Sequence, residues 1–140
     1  MPDPRPAKFQ WLTPYLMVRN AERSIEFYSR AFGFRVRKEL KKFGFLIHVE
    51  MEHHGELVLM FSPEGSFGSP EKSPAAMGVM ASQVFYLYVD DVDAVYRQSL
   101  ECGAKSLSEP CNMFWGDRFA MIEDLDGYRW AIARHFSFDA

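Results

Sequence analysis

The chain has 140 residues, of which 48% are hydrophobic and 25% are charged, fractions typical of one soluble globular domain. Its formal net charge is −3, and it lacks a tight cluster of basic residues, which argues against nucleic acid as a partner. It has no apolar run of membrane-spanning length, no apolar signal-peptide region and only two cysteines, so we expect a cytoplasmic protein with reduced thiols.

The first half of the chain predicts a strand, a helix and three further strands. Asn20 is a favourable helix N-cap because its side chain accepts a hydrogen bond from a free N–H of the first turn, and Gly33 provides the C-terminal stop. His53, His54 and Gly55 predict a hairpin turn. The predicted elements are a strand over 11–18, a helix over 20–33, and strands over 34–40, 45–52 and 56–61.

The second half repeats this order about half the chain length later. The segment YLMV at Tyr15 runs into one helical pattern, and the segment YLYV at Tyr86 runs into another, which Asp91 caps. Between the halves, residues 63–81 are rich in Pro and Gly and predict a linker with a short helical turn over 76–80. The predicted elements of the second half are a strand over 84–89, a helix over 91–103, a less clear strand near 104–107, and strands over 117–123 and 128–135 joined by a turn at 124–127.

These elements predict an α+β fold in a single domain over residues 1–140. Module one covers about 9–62, the linker about 63–81 and module two about 82–136, and each module is a βαβββ unit. Neither module can bury its sheet alone. We therefore expect the two modules to form one cupped, eight-stranded mixed sheet with the helices outside.

Three segments of the chain resemble the vicinal oxygen chelate superfamily, also called the glyoxalase/bleomycin-resistance/dioxygenase family. They are TPYLMVRNAERSIEFYSRAFGF, FYLYVDDVDAVYRQSLECGA and FWGDRFAMIEDLDGYRWAIA. The PhnB-like and antibiotic-binding branches are the most similar, and none of the segments is specific for one activity. The resemblance implies two modules whose strands face into a common cup.

The resemblance also implies four metal-ligand positions, two in each module. They fall on Thr13, on Val58 or Met60, on Val84 and on Ala131. Zinc, iron and manganese need imidazole, carboxylate or thiolate donors, which none of these side chains supplies. We therefore expect no metal, no cofactor and no catalytic residue, which favours a binding protein over an enzyme.

A displaced metal site is the less favoured alternative. His48, Glu50 and Glu52 alternate along one predicted strand, so their side chains share a face. The favoured interpretation of the two glutamates is a solvated strand face, and that of His53 and His54 is an exposed hairpin tip.

Strand alternation predicts an aromatic lining for the cup, which suits a planar ligand because flat rings stack on conjugated ligands and Met adapts to irregular shapes. Trp130 and Ile132 are expected to point the other way, beneath a helix. The predicted ligand-binding residues are Thr13, Tyr15, Met17, Phe45, Met60, Tyr86, Tyr88, Phe114, Trp115, Arg118 and Arg129.

Trp115 has two interpretations. In one, the indole is a stacking lid over the cup, with Arg118 or Asp117 orienting a polar group of the ligand. In the other, the indole plugs the sheet edge, and Asp117 and Arg118 pair on the surface.

Three functions are compatible with these features. The first is a metal-free binding protein of the bleomycin-resistance type, which sequesters a planar aromatic or antibiotic-like molecule at the interface of a homodimer with exchanged modules. The second is a lyase, isomerase or dioxygenase of the superfamily, either metal-dependent through displaced ligands or metal-free through Tyr, Arg and His groups. The third is an accessory or carrier protein in natural-product biosynthesis.

Overall fold

The structure, a computed structural model, describes residues 1–136 and contains two four-stranded sheets. The strands are β1 (Tyr15–Val18), β2 (Arg35–Lys42), β3 (Phe45–His53), β4 (Glu56–Pro63), β5 (Val84–Tyr88), β6 (Lys105–Asn112), β7 (Asp117–Glu123) and β8 (Arg129–His135). The helices are α1 (Ala21–Phe32), α2 (Pro74–Met77) and α3 (Val92–Glu101), and a 3-10 turn covers Ser66–Gly68. The predicted α+β class is confirmed, as are the two βαβββ modules. None of the helices in this part of the chain is long and apolar enough to cross a membrane.

The two sheets have the same strand order. The first runs β1-β4-β3-β2 and the second β5-β8-β7-β6. In each sheet the first pair is parallel and the other two pairs are antiparallel. The chain divides into a first unit of Met1–Ser29 and Gly33–Ser73 and a second unit of Arg30–Phe32 and the residues from Pro74 onward. The joining of both sheets into one cup remains a prediction.

The predicted helix boundaries rest on side-chain and backbone caps. The side chain of Asn20 accepts a hydrogen bond of 3.0 Å from the backbone N–H of Arg23, and Asp91 accepts one of 3.1 Å from Ala94. Gly33 ends α1 with a φ of 76°, a left-handed conformation that a glycine adopts without steric cost. Both predicted N-caps and this C-terminal stop are confirmed.

The core of the first unit lies on one face of its sheet. Val18, Val49 and Phe61 are fully buried, and the ring of Tyr28 on α1 lies 5.9 Å from that of Phe61. Side chains alternate along a strand, so the residues on either side of each buried position point to the opposite face of the sheet.

In the second unit, Trp130 and Ile132 belong to the core, as predicted. Trp130 is 4% exposed, and its ring lies 5.0 Å from Phe85 and 4.9 Å from Phe32. Its indole N–H donates a 2.9 Å hydrogen bond to the buried carboxylate of Asp124. Helix α3 packs against β6, β7 and β8 of this sheet.

Three predicted boundaries are wrong. β1 begins at Tyr15 rather than at residue 11, because Pro14 has no N–H to donate to a ladder, and Leu12 is 88% exposed. β6 continues to Asn112 as an irregular edge strand, well beyond the strand predicted near 104–107. The helical turn of the linker begins at Pro74, earlier than predicted, because proline fits the first turn of a helix.

Candidate functional site

The exposed face of the second sheet carries two rows of side chains that are register partners. Tyr86 and Tyr88 are 43% and 57% exposed, and their ring centroids lie 5.4 Å apart. The ring of Tyr86 also lies 5.9 Å from that of Phe119. The rows across β5, β8 and β7 are Tyr86, Ala131, Met121 and Tyr88, Ala133, Phe119. Alanine on the middle strand leaves space for the larger side chains on both sides.

A buried carboxylate organises the polar end of this face. Asp117, 4% exposed, accepts a 2.6 Å hydrogen bond from the hydroxyl of Tyr86. Nδ1 of His135 lies 2.8 Å from its other oxygen. The indole N–H of Trp115 points at both acceptors, 3.2 Å from the Tyr86 oxygen and 3.3 Å from Asp117. An ionised carboxylate only accepts hydrogen bonds, so Asp117 fixes the orientation of three rings at once.

These contacts shift the ionisation of both partners. The hydrogen bonds from Tyr86 and His135 hold the pKa of Asp117 below its ordinary value of 3.8. Partial burial and the hydrogen bond to Asp117 raise the pKa of Tyr86 to about 12. At neutral pH, Asp117 is therefore an anion and Tyr86 is a neutral donor.

Trp115 lies over the aromatic rows rather than at a bare sheet edge. Its indole is half-buried and meets Phe119 edge-on at 5.8 Å and Phe114 at 5.1 Å. Phe114 is 86% exposed. Asp117 contacts Trp115 rather than pairing with Arg118, so the interpretation that placed these two charges in a surface pair is wrong. Stacking of a ligand on the indole stays a prediction.

The first sheet carries an equivalent row on the face opposite its core. Tyr15 on β1 lies opposite Met60 on β4, and Met60 lies opposite Glu50 on β3. In the second sheet the matching row begins with Tyr86 and Ala131. The register therefore makes Met60, and not Val58, the counterpart of Ala131.

Four side chains of the first unit form a continuous hydrogen-bonded chain. The hydroxyl of Tyr15 lies 2.7 Å from Nδ1 of His48 and also contacts the hydroxyl of Ser62. Nε2 of His48 lies 2.9 Å from Oε2 of Glu50. Ser62 is fully buried and Glu50 is 6% exposed, whereas Tyr15 is 41% exposed. Glu50 is therefore part of a buried network and not of a solvated strand face, which corrects that interpretation.

The side chains present do not fit the metal that the resemblance implies. The inherited positions hold Thr13, Met60, Val84 and Ala131, and none of these groups is an adequate ligand for zinc, iron or manganese. Within residues 1–136, no group of three His, Cys, Asp or Glu side chains is arranged to hold a metal ion.

The side chains of the displaced alternative have partners within the protein. Both ring nitrogens of His48 are engaged by Tyr15 and Glu50. Glu52 accepts a 3.3 Å hydrogen bond from Arg37. His48 and Glu50 are thus paired with each other, and Glu52 is paired with Arg37.

Arg118 lies on the other face of β7 from Phe119, because neighbouring residues of a strand alternate. Its guanidinium binds Asp93 on α3 at 2.8 and 3.1 Å. The hydrogen bonds to Asp93 hold the pKa of Arg118 above its ordinary value. This placement argues against the predicted ligand contact of Arg118.

Arg129 lies between Val84 on β5 and Glu123 on β7, in the row next to that of Tyr86. Its Nε atom is buried and makes no hydrogen bond with the described residues. A buried guanidinium nitrogen without a partner among the described residues makes Arg129 a candidate contact for a bound molecule.

The other predicted ligand-binding residues are distributed over the first unit. Met17 is the register partner of Ser62, and Thr13 precedes β1. Phe45 is 74% exposed and lines a cavity of about 410 Å³ together with Asn20 at the start of α1. The structure thus brings Tyr86, Tyr88, Phe114 and Trp115 into one cluster, and Tyr15, Met17 and Met60 into a second group on the other sheet.

The sequence interpretation missed Phe119 at the second sheet and Ser62 at the first, and it considered His135 only as part of a displaced metal site. Alternation from Ala131 and Met121 would have placed Phe119 on the aromatic face. Nothing in the local sequence pairs His135 with Asp117, or Ser62 with Tyr15, since both contacts depend on the register between strands.

A family model described as the Glyoxalase/Bleomycin resistance protein/Dioxygenase superfamily matches residues 8–132 of the chain. An uncharacterized protein of Mycobacterium bovis is 28% identical over 125 residues, which cover 88% of this chain and 82% of that protein. The crystal structure of TioX from Micromonospora sp. ML1 matches with a TM-score of 0.69 at 24% identity. The match covers 89% of this chain and 98% of that one. The structure of a bleomycin-binding protein complexed with bleomycin has a TM-score of 0.59 at 22% identity, with coverages of 90% and 98%. These structural matches indicate a shared fold.

Proposed function

The chain belongs to the glyoxalase/bleomycin resistance protein/dioxygenase superfamily, and we propose that within it this protein is a metal-free binding protein for a planar aromatic or antibiotic-like molecule. A bleomycin-binding protein of similar fold binds its antibiotic, which supports this choice of ligand class. The function resembles that of bleomycin-resistance proteins, which sequester a compound rather than convert it.

The observation that carries the proposal is the fixed aromatic face of the second sheet. Tyr86, Tyr88 and Trp115 present ring surface to solvent, and Asp117 holds two of these rings in place through hydrogen bonds. Rings that are already oriented lose little conformational freedom when a ligand stacks on them. Arg129, in the neighbouring row, supplies a cation for a carbonyl or carboxylate at the edge of the ligand.

The absence of metal is part of the proposal because of the side chains at the inherited positions. Met60 and Ala131 occupy equivalent places in the two sheets, and neither supplies a donor for a hard or borderline cation. In the enzymes of the superfamily, the metal acts as the Lewis acid. A protein that lacks the ligands keeps the aromatic face of the second sheet without that chemistry.

We also propose that the protein is a homodimer in which the ligand site lies at the interface, with modules exchanged between chains. Residues 63–81, between the two sheets, are long enough to permit such an exchange. Each four-stranded sheet has two edge strands, and association is one way in which sheets cover their edges.

The test combines metal analysis with ligand binding. The zinc, iron, nickel and manganese contents of the purified protein are measured first. Protein with and without dialysis against EDTA is then titrated calorimetrically with bleomycin and with the planar dye acridine orange. We expect less than about one tenth of an ion per chain before chelation, and saturable binding of at least one probe that EDTA leaves unchanged.

A stoichiometric ion that is lost with His48→Asn or Glu50→Gln would contradict the proposal and favour an enzyme with displaced metal ligands. Failure of both probes to bind would contradict the proposed ligand class. The matched control is His54→Asn in the hairpin turn between β3 and β4, which leaves the first sheet's buried network untouched.

A further inference from the structure

We propose that Glu50, His48 and Tyr15 form a proton relay that gives the first unit an acid–base activity, the interconversion of enol and keto forms of a planar conjugated carbonyl compound. This activity goes beyond the proposed binding function, because it uses no group of the second sheet. It concerns a set of side chains that the inherited metal positions do not include.

The hydrogen-bond donors of the relay follow from its acceptors. Glu50 as a carboxylate only accepts, so Nε2 of His48, 2.9 Å away, carries the hydrogen. Nδ1 of His48 is then the acceptor for the hydroxyl hydrogen of Tyr15 at 2.7 Å. Tyr15 has only one hydrogen, so the hydroxyl of Ser62 donates to the Tyr15 oxygen. The donors therefore run in one direction, from the hydroxyl of Ser62 through Tyr15 and His48 to the carboxylate of Glu50.

Burial decides which member of the chain meets a substrate. Glu50 is 6% exposed and Ser62 is fully buried, so neither reaches a bound molecule. The exposed residue of the relay is Tyr15, at 41%. A buried serine cannot act as a nucleophile on a substrate, which excludes the acyl-transfer chemistry of a serine triad. Proton transfer through Tyr15 remains.

The residues around the relay determine which charges lie near it and which kind of substrate fits beside it. Lys38 is the cross-strand partner of Glu50 on β2, and Leu40 is that of His48. On β4 the partner of Glu50 is Met60, an uncharged side chain that also lies opposite Tyr15. Glu52, further along β3, is neutralised by Arg37 at 3.3 Å. A phenol beside a thioether suits a flat, conjugated molecule with one polar edge.

The proposed reaction balances without an oxidant or a metal. The enol O–H bond breaks as its proton joins the Tyr15 oxygen, and the proton of Tyr15 moves to Nδ1 of His48. The imidazolium that forms is stabilised by Glu50. Tyr15 then donates a proton to the enolate carbon, forming the new C–H bond, and recovers a proton from His48. The net change is one proton moved from oxygen to carbon.

The test uses the enol of phenylpyruvate, whose ultraviolet absorbance disappears on ketonisation. We expect the protein to accelerate this decay over buffer, and Tyr15→Phe to lower the acceleration by about 100-fold, the lower range for general acid–base catalysis. Glu50→Gln keeps an acceptor for His48 while it removes the charge, and is expected to lower the rate at least about tenfold. His48→Asn is expected to act like Tyr15→Phe.

Two matched controls separate the relay from general damage. Tyr96→Phe removes a hydroxyl that bonds Ser106 at 2.7 Å in the second unit, and His54→Asn changes a histidine in the hairpin turn. Both are expected to keep the full rate.

Ketonisation no faster than in buffer would overturn the proposal. So would a Tyr15→Phe variant that unfolds at the wild-type urea midpoint and retains the wild-type rate. Neither result bears on bleomycin or acridine orange binding, so the relay and the binding function fail independently.

Discussion

Tyr86 and Asp117 stand on β5 and β7, two strands separated by β8, and are joined by a 2.6 Å hydrogen bond from phenol to carboxylate. In the first sheet Tyr15 occupies the equivalent place, but its hydroxyl faces a histidine nitrogen at 2.7 Å. The tyrosines at this equivalent strand position thus have different hydrogen-bond partners in the two sheets. In the second sheet the hydroxyl contacts a carboxylate, and in the first it contacts an imidazole.

The Asp117 network predicts a loss of stability in acid. The pKa of Asp117 is lowered from 3.8 in the folded state, so its contribution is present above that pH and is lost as the pH falls through the lower, folded value. We expect Asp117→Asn to be less stable than wild type at pH 7. Urea unfolding at intervals between pH 7 and pH 2 is expected to show the difference shrinking below about pH 4. A difference that stays constant down to pH 2 would contradict this assignment.

The raised pKa of Tyr86 predicts a loss of stability in alkali. Its pKa is raised from 10.0 to about 12, so the folded state holds the proton longer than the unfolded state. The stabilisation by Tyr86 is therefore complete below about pH 10 and is lost as the pH rises toward 12. Tyr86→Phe is expected to reduce the fall in stability over this window. Spectrophotometric titration of the phenols in wild type and variant provides an independent check, and a Tyr86 titration near pH 10 would count against the network.

Trp130 is expected to be a stability residue. Its replacement by alanine removes ring contacts with Phe32 and Phe85 and leaves the carboxylate of Asp124 without its indole donor. We expect Trp130→Ala to lower the free energy of unfolding by about 3–5 kcal/mol, the usual cost for a large buried aromatic residue. Trp130→Phe keeps most of the packing and is expected to lose less. A loss under about 1 kcal/mol for the alanine variant would show that this core repacks.

The state of association follows from the proposed interfacial site. We expect analytical ultracentrifugation to give a dimer at micromolar concentrations, and we expect module exchange to make subunit mixing slow. Mixing of two differently labelled populations, followed by energy transfer, measures that rate. A monomer that binds acridine orange with full affinity would rule out a site shared between chains.

Local chemistry in the sequence was sufficient for much of the fold. The N-caps at Asn20 and Asp91 and the stop at Gly33 are short-range signals, and each lies where it was predicted. The alternation around Tyr86 and Ala131 placed both on one face, which the register confirms. The limits of β6 were missed because it is an irregular edge strand that contains Pro110, with two register shifts against β7.

The polar networks of the site were not predictable in the same way. The bond between Tyr86 and Asp117 crosses a third strand, so it depends on two registers at once. The chain from Tyr15 through His48 to Glu50 likewise spans β1 and β3 across β4. Alternation places side chains on a face, but only the relative shift of the strands decides which of them meet.

The measurement that bears most directly on the proposed function is the affinity of the Trp115→Ala variant for acridine orange or bleomycin, whichever binds wild type. If the ligand stacks on the indole that Tyr86 and Asp117 hold in place, the variant loses about 2 kcal/mol of binding free energy or more, roughly thirtyfold in affinity. Trp11→Ala, at an indole 73% exposed in the N-terminal arm, is the matched control and is expected to bind as wild type does. Normal binding by a Trp115→Ala variant that unfolds early would contradict the account, since Trp115 would then support the sheet and not the ligand.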